Sequence, residues 1–241
     1  MQLKEFYKDN KFYIMILSFC NNGDLEKPID STKNKDKDAL YLMGCIANGF
    51  RILNMYQIMH RDLKPMNLLL HNPTLMDGND LSKEFLVIGD FGGLKTNEDT
   101  SKTVSGSPKY IAPEIFHNYK VENNIAKFKD ENVPLKDYND KVDVFSLGCI
   151  GFEILTGKKL LDCGNNWASE IERLYRDRCG KRIAYTEEIH TQKLNKKIST
   201  NLTELLTEMT QVEGKDRISW QNIFNKPIIK YFYLIKQFDK D

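Results

Sequence analysis

The run His60-Arg61-Asp62-Leu63-Lys64-Pro65-Met66-Asn67 is followed by Asp90-Phe91-Gly92 and then by Ala112-Pro113-Glu114. These are residue types that phosphoryl transfer needs. A carboxylate such as Asp62 can accept the proton of an attacking hydroxyl, Asn67 and Asp90 can hold Mg²⁺, and Lys64 can steady the moving phosphoryl group. Asp-Phe-Gly alone carries little weight, because the tripeptide arises by chance in many proteins. Three such motifs, in this order and at these spacings, are hard to obtain by accident.

Upstream of His60, Ala39, Leu42, Met43, Ile46, Phe50 and Leu53 recur at helical spacing, which predicts a helix delivering the chain to Met59-His60. Before it, residues 30–38 are polar and Lys-rich and read as a solvated loop. The apolar run over residues 12–19 is rich in strand formers and reads as a strand buried on both faces, ending at the turn signal Asn21-Asn22-Gly23-Asp24. Downstream, Leu68-Leu69-Leu70 and Phe85-Leu86-Val87-Ile88 form the pattern of a hairpin flanking the motifs. The chemistry is thus expected on loops held by strands.

Residues 95–107 are polar and small, as a switchable loop would be, and residues 118–139 read as a charged, Asn-rich surface insertion. Residues 142–155 are apolar nearly all round and predict the buried axis of a helical unit. Further helices are expected over 167–179 and 202–212, with last helical turns over 218–233 broken near Pro227.

At 241 residues with 41% hydrophobic and 11% aromatic side chains, the chain can bury a sizeable core. A formal charge of +1 gives no sign of nucleic acid or an anionic membrane as partner. The five cysteines form no Cys-x-x-Cys pair and are odd in number, which favours reduced thiols in a cytoplasmic or nuclear setting. Neither a secretion signal nor a membrane span is legible.

With these motifs in place, the chain resembles the C-terminal lobe and hinge of a eukaryotic-type protein kinase, of the serine/threonine class. The resemblance implies an α+β, protein-kinase-like fold with a mostly helical C-terminal lobe over residues 20–241. Residues 1–19 would be a residual two-strand piece of the small lobe with the start of the hinge. It implies ATP and Mg²⁺ as cofactors, a protein substrate and an upstream activating kinase. Asp62 would be the catalytic base, Lys64 would offset the γ-phosphate, and Asn67 and Asp90 would be the Mg²⁺ ligands. The Ser18 carbonyl and Cys20 amide would meet adenine, Leu17 would be the gatekeeper, Asp24 would reach the ribose and Leu69 would floor the adenine pocket. Arg61 would pair with a phosphorylated Thr103, with Ser105 as a rival acceptor. Ser107 would contact Asp62 and Lys64, which supports hydroxyl substrates of the Ser/Thr kind. Glu114 with Arg217, and the helix residue Asp143, would be scaffold rather than catalytic.

The departure from the family lies at the front. Residues before Phe12 contain no Gly-x-Gly, and Lys4 stands too close to the hinge to be the strand lysine that anchors ATP. The expectation is therefore a fragment of a kinase that binds Mg·ATP weakly or not at all. A catalytically inactive, kinase-like interaction module is the alternative.

Overall fold

The structure is a computed structural model that describes residues 3–29, 35–72, 85–96, 107, 109–116, 119–122, 125–128, 138–161 and 200–230. The chain opens with strands β1 (Leu3–Lys8) and β2 (Tyr13–Leu17), paired antiparallel so that Tyr7 faces Ile14 and Phe6 faces Met15. The apolar run does form a strand, but it is not buried on both faces: Tyr13 is 67% exposed and Met15 60%. A two-stranded sheet has one partner per strand, and among the described residues no third strand joins it. The short helix α1 (Glu26–Ile29) follows a turn in which the Asp24 carboxylate accepts the Glu26 N–H.

Helix α2 (Lys35–Met55) starts earlier than its apolar periodicity. Residues 35–38, expected in a loop, are its first turn, and Asp36 and Asp38 there are favourable to the helix dipole. Strand β3 (Ile58–Met59) leads to His60, β4 (Leu68–His71) and β5 (Phe85–Ile88) pair as the expected hairpin, and β6 (Lys95–Thr96) pairs antiparallel with β3. Helix α3 (Pro113–Phe116) is short. Strands β7 (Tyr119–Glu122) and β8 (Ile125–Phe128) form a hairpin inside the stretch that reads as an insertion, so part of it is ordered by pairing rather than looped.

The core is organised by helix α4 (Lys141–Thr156), in which every residue from Val142 to Leu155 is buried. Its apolar side chains point all round, so it can satisfy them only by being surrounded. Gly157 ends it in a left-handed turn, donating its N–H to the Glu153 carbonyl. Helix α5 (Thr200–Met209) lays its stripe of Leu202, Leu205, Leu206 and Met209 inward, and α6 (Trp220–Asn225) stacks Trp220 on Phe50 of α2 with ring centroids 4.4 Å apart. The expected last helical turns are interrupted at Lys226, before Pro227. The helix expected over 167–179 lies outside the described residues.

Glycine permits the closest approach of these helices. A Cβ on Gly151 of α4 would lie 2.7 Å from the Met43 sulfur of α2 and 2.9 Å from Leu206 Cδ2 of α5. Replacing Gly151 with Val should therefore push three helices apart and cost about 1–3 kcal/mol, read as a lower urea midpoint at unchanged slope.

Candidate active site

The loop carrying the first motif is hung from the buried axis. Asp143, in the first turn of α4 and fully buried, accepts the N–H of His60 on Oδ2 and of Arg61 on Oδ1, both at 2.7 Å. Burial pushes its carboxyl up to about 6, while those two N–H bonds and the adjacent His60 pull the other way. The imidazole of His60 bonds through Nε2 to the Gly89 carbonyl at 2.9 Å, and Arg61 Nε donates to the Gly93 carbonyl at 2.7 Å. The loop is thereby tied to both sides of Asp90-Phe91-Gly92. Arg61 and Asp90 both adopt left-handed backbone, with φ of 67° and 56°. For residues with a Cβ this costs about 1–3 kcal/mol each, strain held by the surrounding bonds.

Around Asp62 three donors converge. Lys64 Nζ lies 2.7 Å from Oδ2, Ser107 Oγ donates to Oδ1 at 3.0 Å, and Asn67 Nδ2 donates to the Asp62 carbonyl at 2.8 Å. The expected residues Asp62, Lys64, Asn67 and Ser107 are thus brought to one point, though Ser107 lies 45 positions from Asp62. Asn67 spends its NH₂ on Asp62, which leaves its amide oxygen for another partner. Asp90 presents an exposed carboxylate just past β5, where the Gly89 N–H donates to the Asn67 carbonyl at 2.8 Å. Asn67 and Asp90 therefore flank the same end of the β4–β5 hairpin.

Of the residues expected at a nucleotide, Asp24 and Leu69 meet beside β4. Asp24 pairs with Leu69 as an isolated bridge, and Leu25 N–H donates to the Leu68 carbonyl at 2.9 Å. Leu68 and Leu70 point into the core while Leu69 is half-buried on the opposite face, so alternation along the strand turns Leu69 toward the Asp24 side. Leu17 ends β2, and Ser18 and Cys20 occupy the linker to this bridge, Cys20 partly buried. One Asp24 oxygen is already committed to the α1 cap. Thr103 and Ser105 lie outside the described residues.

Lys95 stands at the start of a run whose composition reads as a polar loop, yet it is buried in β6. Its ammonium sits 5.7 Å from the Tyr138 ring centroid, and Arg61 Nη1 donates to the Tyr138 hydroxyl at 3.2 Å. Two cations thus converge on one phenol, a grouping that sequence spacing hides. Tyr110 donates its hydroxyl to Glu153 at 2.6 Å, and Ser146 donates to the Tyr110 carbonyl at 2.8 Å. Burial, then the Glu153 bond, pushes the Tyr110 phenol well above its ordinary range. The signal is Glu153, a carboxylate ten positions past Asp143 in an otherwise apolar helix, which needs a partner. Glu114 meets Arg217 through two bonds of 2.6 and 2.9 Å, and Arg217 also donates to the Lys141 carbonyl at 2.8 Å.

The family model described as Protein kinase domain matches residues 1–229. The chain belongs to that family. The kinase-like α+β fold implied by its motifs is accordingly the fold of this chain, with the helices around α4 forming the larger part. Among kinases it is similar to the serine/threonine-protein kinase atg1 of Dictyostelium discoideum, 34% identical over 90% of this chain and 27% of that protein. Unc-51 of Caenorhabditis elegans is 28% identical over 89% of this chain and 22% of its own length. Human ULK1 is 28% identical over 91% of this chain and 18% of its own length. The chain therefore spans about a quarter or less of these curated relatives.

Replacing Asp143 with Ala leaves two buried N–H groups without an acceptor, at about 1–3 kcal/mol each. A matching fall in unfolding free energy, with faster amide exchange at His60 and Arg61, is the expected outcome.

Proposed function

We propose that this kinase domain transfers the γ-phosphoryl group of ATP to serine or threonine hydroxyls of a protein substrate. The observation that carries the proposal is the Asp62 carboxylate held between Lys64, Asn67 and Ser107. Asp62 orients the attacking hydroxyl and accepts its proton. Lys64, within 2.7 Å of that carboxylate, places its positive charge beside the transferring phosphoryl oxygens. Ser107 holds Oδ1 of Asp62, fixing the direction in which the base faces.

The donor set fits a small hard cation. Asn67 offers its amide oxygen and Asp90 an exposed carboxylate, and a pair of oxygen donors suits Mg²⁺, which keeps waters and phosphate oxygens as its other ligands. When bound, Mg²⁺ would neutralise charge developing on the phosphates. The half-buried Leu69 face, with Asp24 beside it and the linker of Ser18 and Cys20 leading into it, is where the adenosine would lie.

The same reading extends to regulation through Arg61 and Lys95, whose contacts to Tyr138 support it. A phosphate on Thr103 or Ser105 would add close to two negative charges, with which Arg61 and Lys95 would pair. Lys95→Ala should then abolish most of the rate gain that an activating phosphorylation gives, while leaving the unphosphorylated rate within about twofold. Rates of the two phosphorylation states, compared for each variant, check this.

The test of the central proposal is transfer of labelled phosphate from Mg·ATP to a peptide library with Ser, Thr or Tyr as sole acceptor. Label should enter Ser and Thr peptides, and Asp62→Asn should lower the rate by about 10²- to 10⁴-fold. Undiminished transfer by that variant removes Asp62 from its role. A second function, that of a non-catalytic interaction module, is favoured by the exposure of both faces of the β1–β2 hairpin, where Phe6 is 52% and Ile14 51% exposed. Absence of transfer by an unsubstituted chain that measurably binds Mg·ATP would support it instead.

A further inference from the structure

Tyr110 links the site to a cation that the proposed chemistry leaves unused. Its N–H donates to the Ser107 carbonyl at 2.9 Å, so one turn returns the chain beside the residue that bonds Asp62. From there the Tyr110 side chain runs to α4, where its hydroxyl takes one oxygen of Glu153. The other Glu153 oxygen faces Lys159, just past the end of α4, whose ammonium lies 3.7 Å away and 6.0 Å from the Tyr110 ring centroid.

This contact is an ion pair without a hydrogen bond. At 3.7 Å the ammonium is beyond donor range of the carboxylate, and among the described residues no other acceptor takes its three N–H groups. Tyr110 and Glu153 are buried, whereas the Lys159 side chain keeps 28% of its surface exposed. A buried carboxylate calls for a cation nearby, and a lysine past a helix C-terminus is favourable to the dipole. Neither of those structural roles occupies the donors of the ammonium.

We propose that Lys159 selects the protein substrate by pairing with an acidic residue that flanks the phosphorylated serine or threonine. The inference rests on the reading of Asp62 as the point where the substrate hydroxyl arrives. One turn of chain, one tyrosine side chain and the last 6.0 Å put the ammonium within about 20 Å of the Asp62 carboxylate, which about six extended residues cover. Tyr110, Ile111 and Ala112 are buried, so the wall between offers a flanking residue no charge of its own. Glu153 is closed to a basic residue, because the Tyr110 hydroxyl holds one oxygen and Lys159 stands before the other. The opposing charge is Glu26 of α1, an exposed carboxylate whose field reaches the Tyr110 phenol.

Binding of fluorescent peptides to the full chain tests the proposal. Each peptide carries one serine with three Asp, three Ala or three Lys on one side of it, and both sides are tried. On one side the Asp peptide should bind about two- to fivefold more tightly than the Ala peptide, with the Lys peptide weakest, and the gap should shrink as salt is raised. Lys159→Gln should bring the Asp and Ala affinities together, Lys159→Arg should keep them apart, and Glu26→Gln should widen the gap. Equal affinities in the unsubstituted chain overturn the proposal, as does a preference that survives Lys159→Gln, and so does failure of every peptide to bind. Phosphate transfer to the same peptides is read separately. An acidic preference in binding with no transfer keeps the site and removes the catalytic reading, whereas transfer with no preference does the reverse.

Discussion

The Asp143 carboxylate accepts the backbone N–H groups of His60 and Arg61, and through them helix α4 sets the position of the loop that presents Asp62. Everything chemical in the molecule hangs from that pair of bonds. A buried carboxylate is costly unless its lone pairs are used, and here two main-chain donors use them. The loop in turn reaches the next motif through the His60 imidazole and the Arg61 side chain, which bond to the carbonyls of Gly89 and Gly93. Motifs remote in sequence thereby share one rigid reference, a helix buried from Val142 to Leu155.

A second tie runs parallel to the first. Glu114, next to the segment that supplies Ser107, is clamped by Arg217, whose remaining donors go to main-chain carbonyls at Lys141, Gln211 and Val212. Arg217 is buried with all its hydrogen-bonding directions occupied, which is how a guanidinium is held in a core. Tyr110, Ser146 and Glu153 fasten the same segment to α4. The wall of the site opposite the β4–β5 hairpin is therefore polar inside the core, and each polar group has its partner.

Much of this was legible in the sequence because it depends on short-range patterns. The all-round apolarity of residues 142–155 predicted a surrounded helix, and Asp62, Lys64 and Asn67 lie within six residues of one another in a single loop motif. Ser107 was legible only through the family resemblance, since nothing local links it to Asp62. The burial of β2 was misjudged because strand composition reports the preference of a strand, whereas burial depends on what lies across its faces. Lys95 was misjudged for a related reason: a lysine in a polar run looks solvated, but two residues of pairing with β3 draw its stem inward and leave its ammonium against an aromatic ring. The start of α2 at Lys35 shows that polar residues extend a helix beyond its apolar stripe when the packed portion already holds it.

The Glu114–Arg217 pair joins residues 103 positions apart, and Asp143 reaches back 83 positions to His60. Both closures are non-local, so each must overcome the entropy of a long loop before it returns any stabilisation. During synthesis, the segment holding Asp62 emerges well before α4 exists to receive it, and Glu114 waits longer still for its arginine. The nascent catalytic loop therefore has no fixed shape of its own. Its geometry is acquired only once α4 has emerged, and a ribosome stalled before residue 217 would carry every catalytic motif without the clamp that completes their wall.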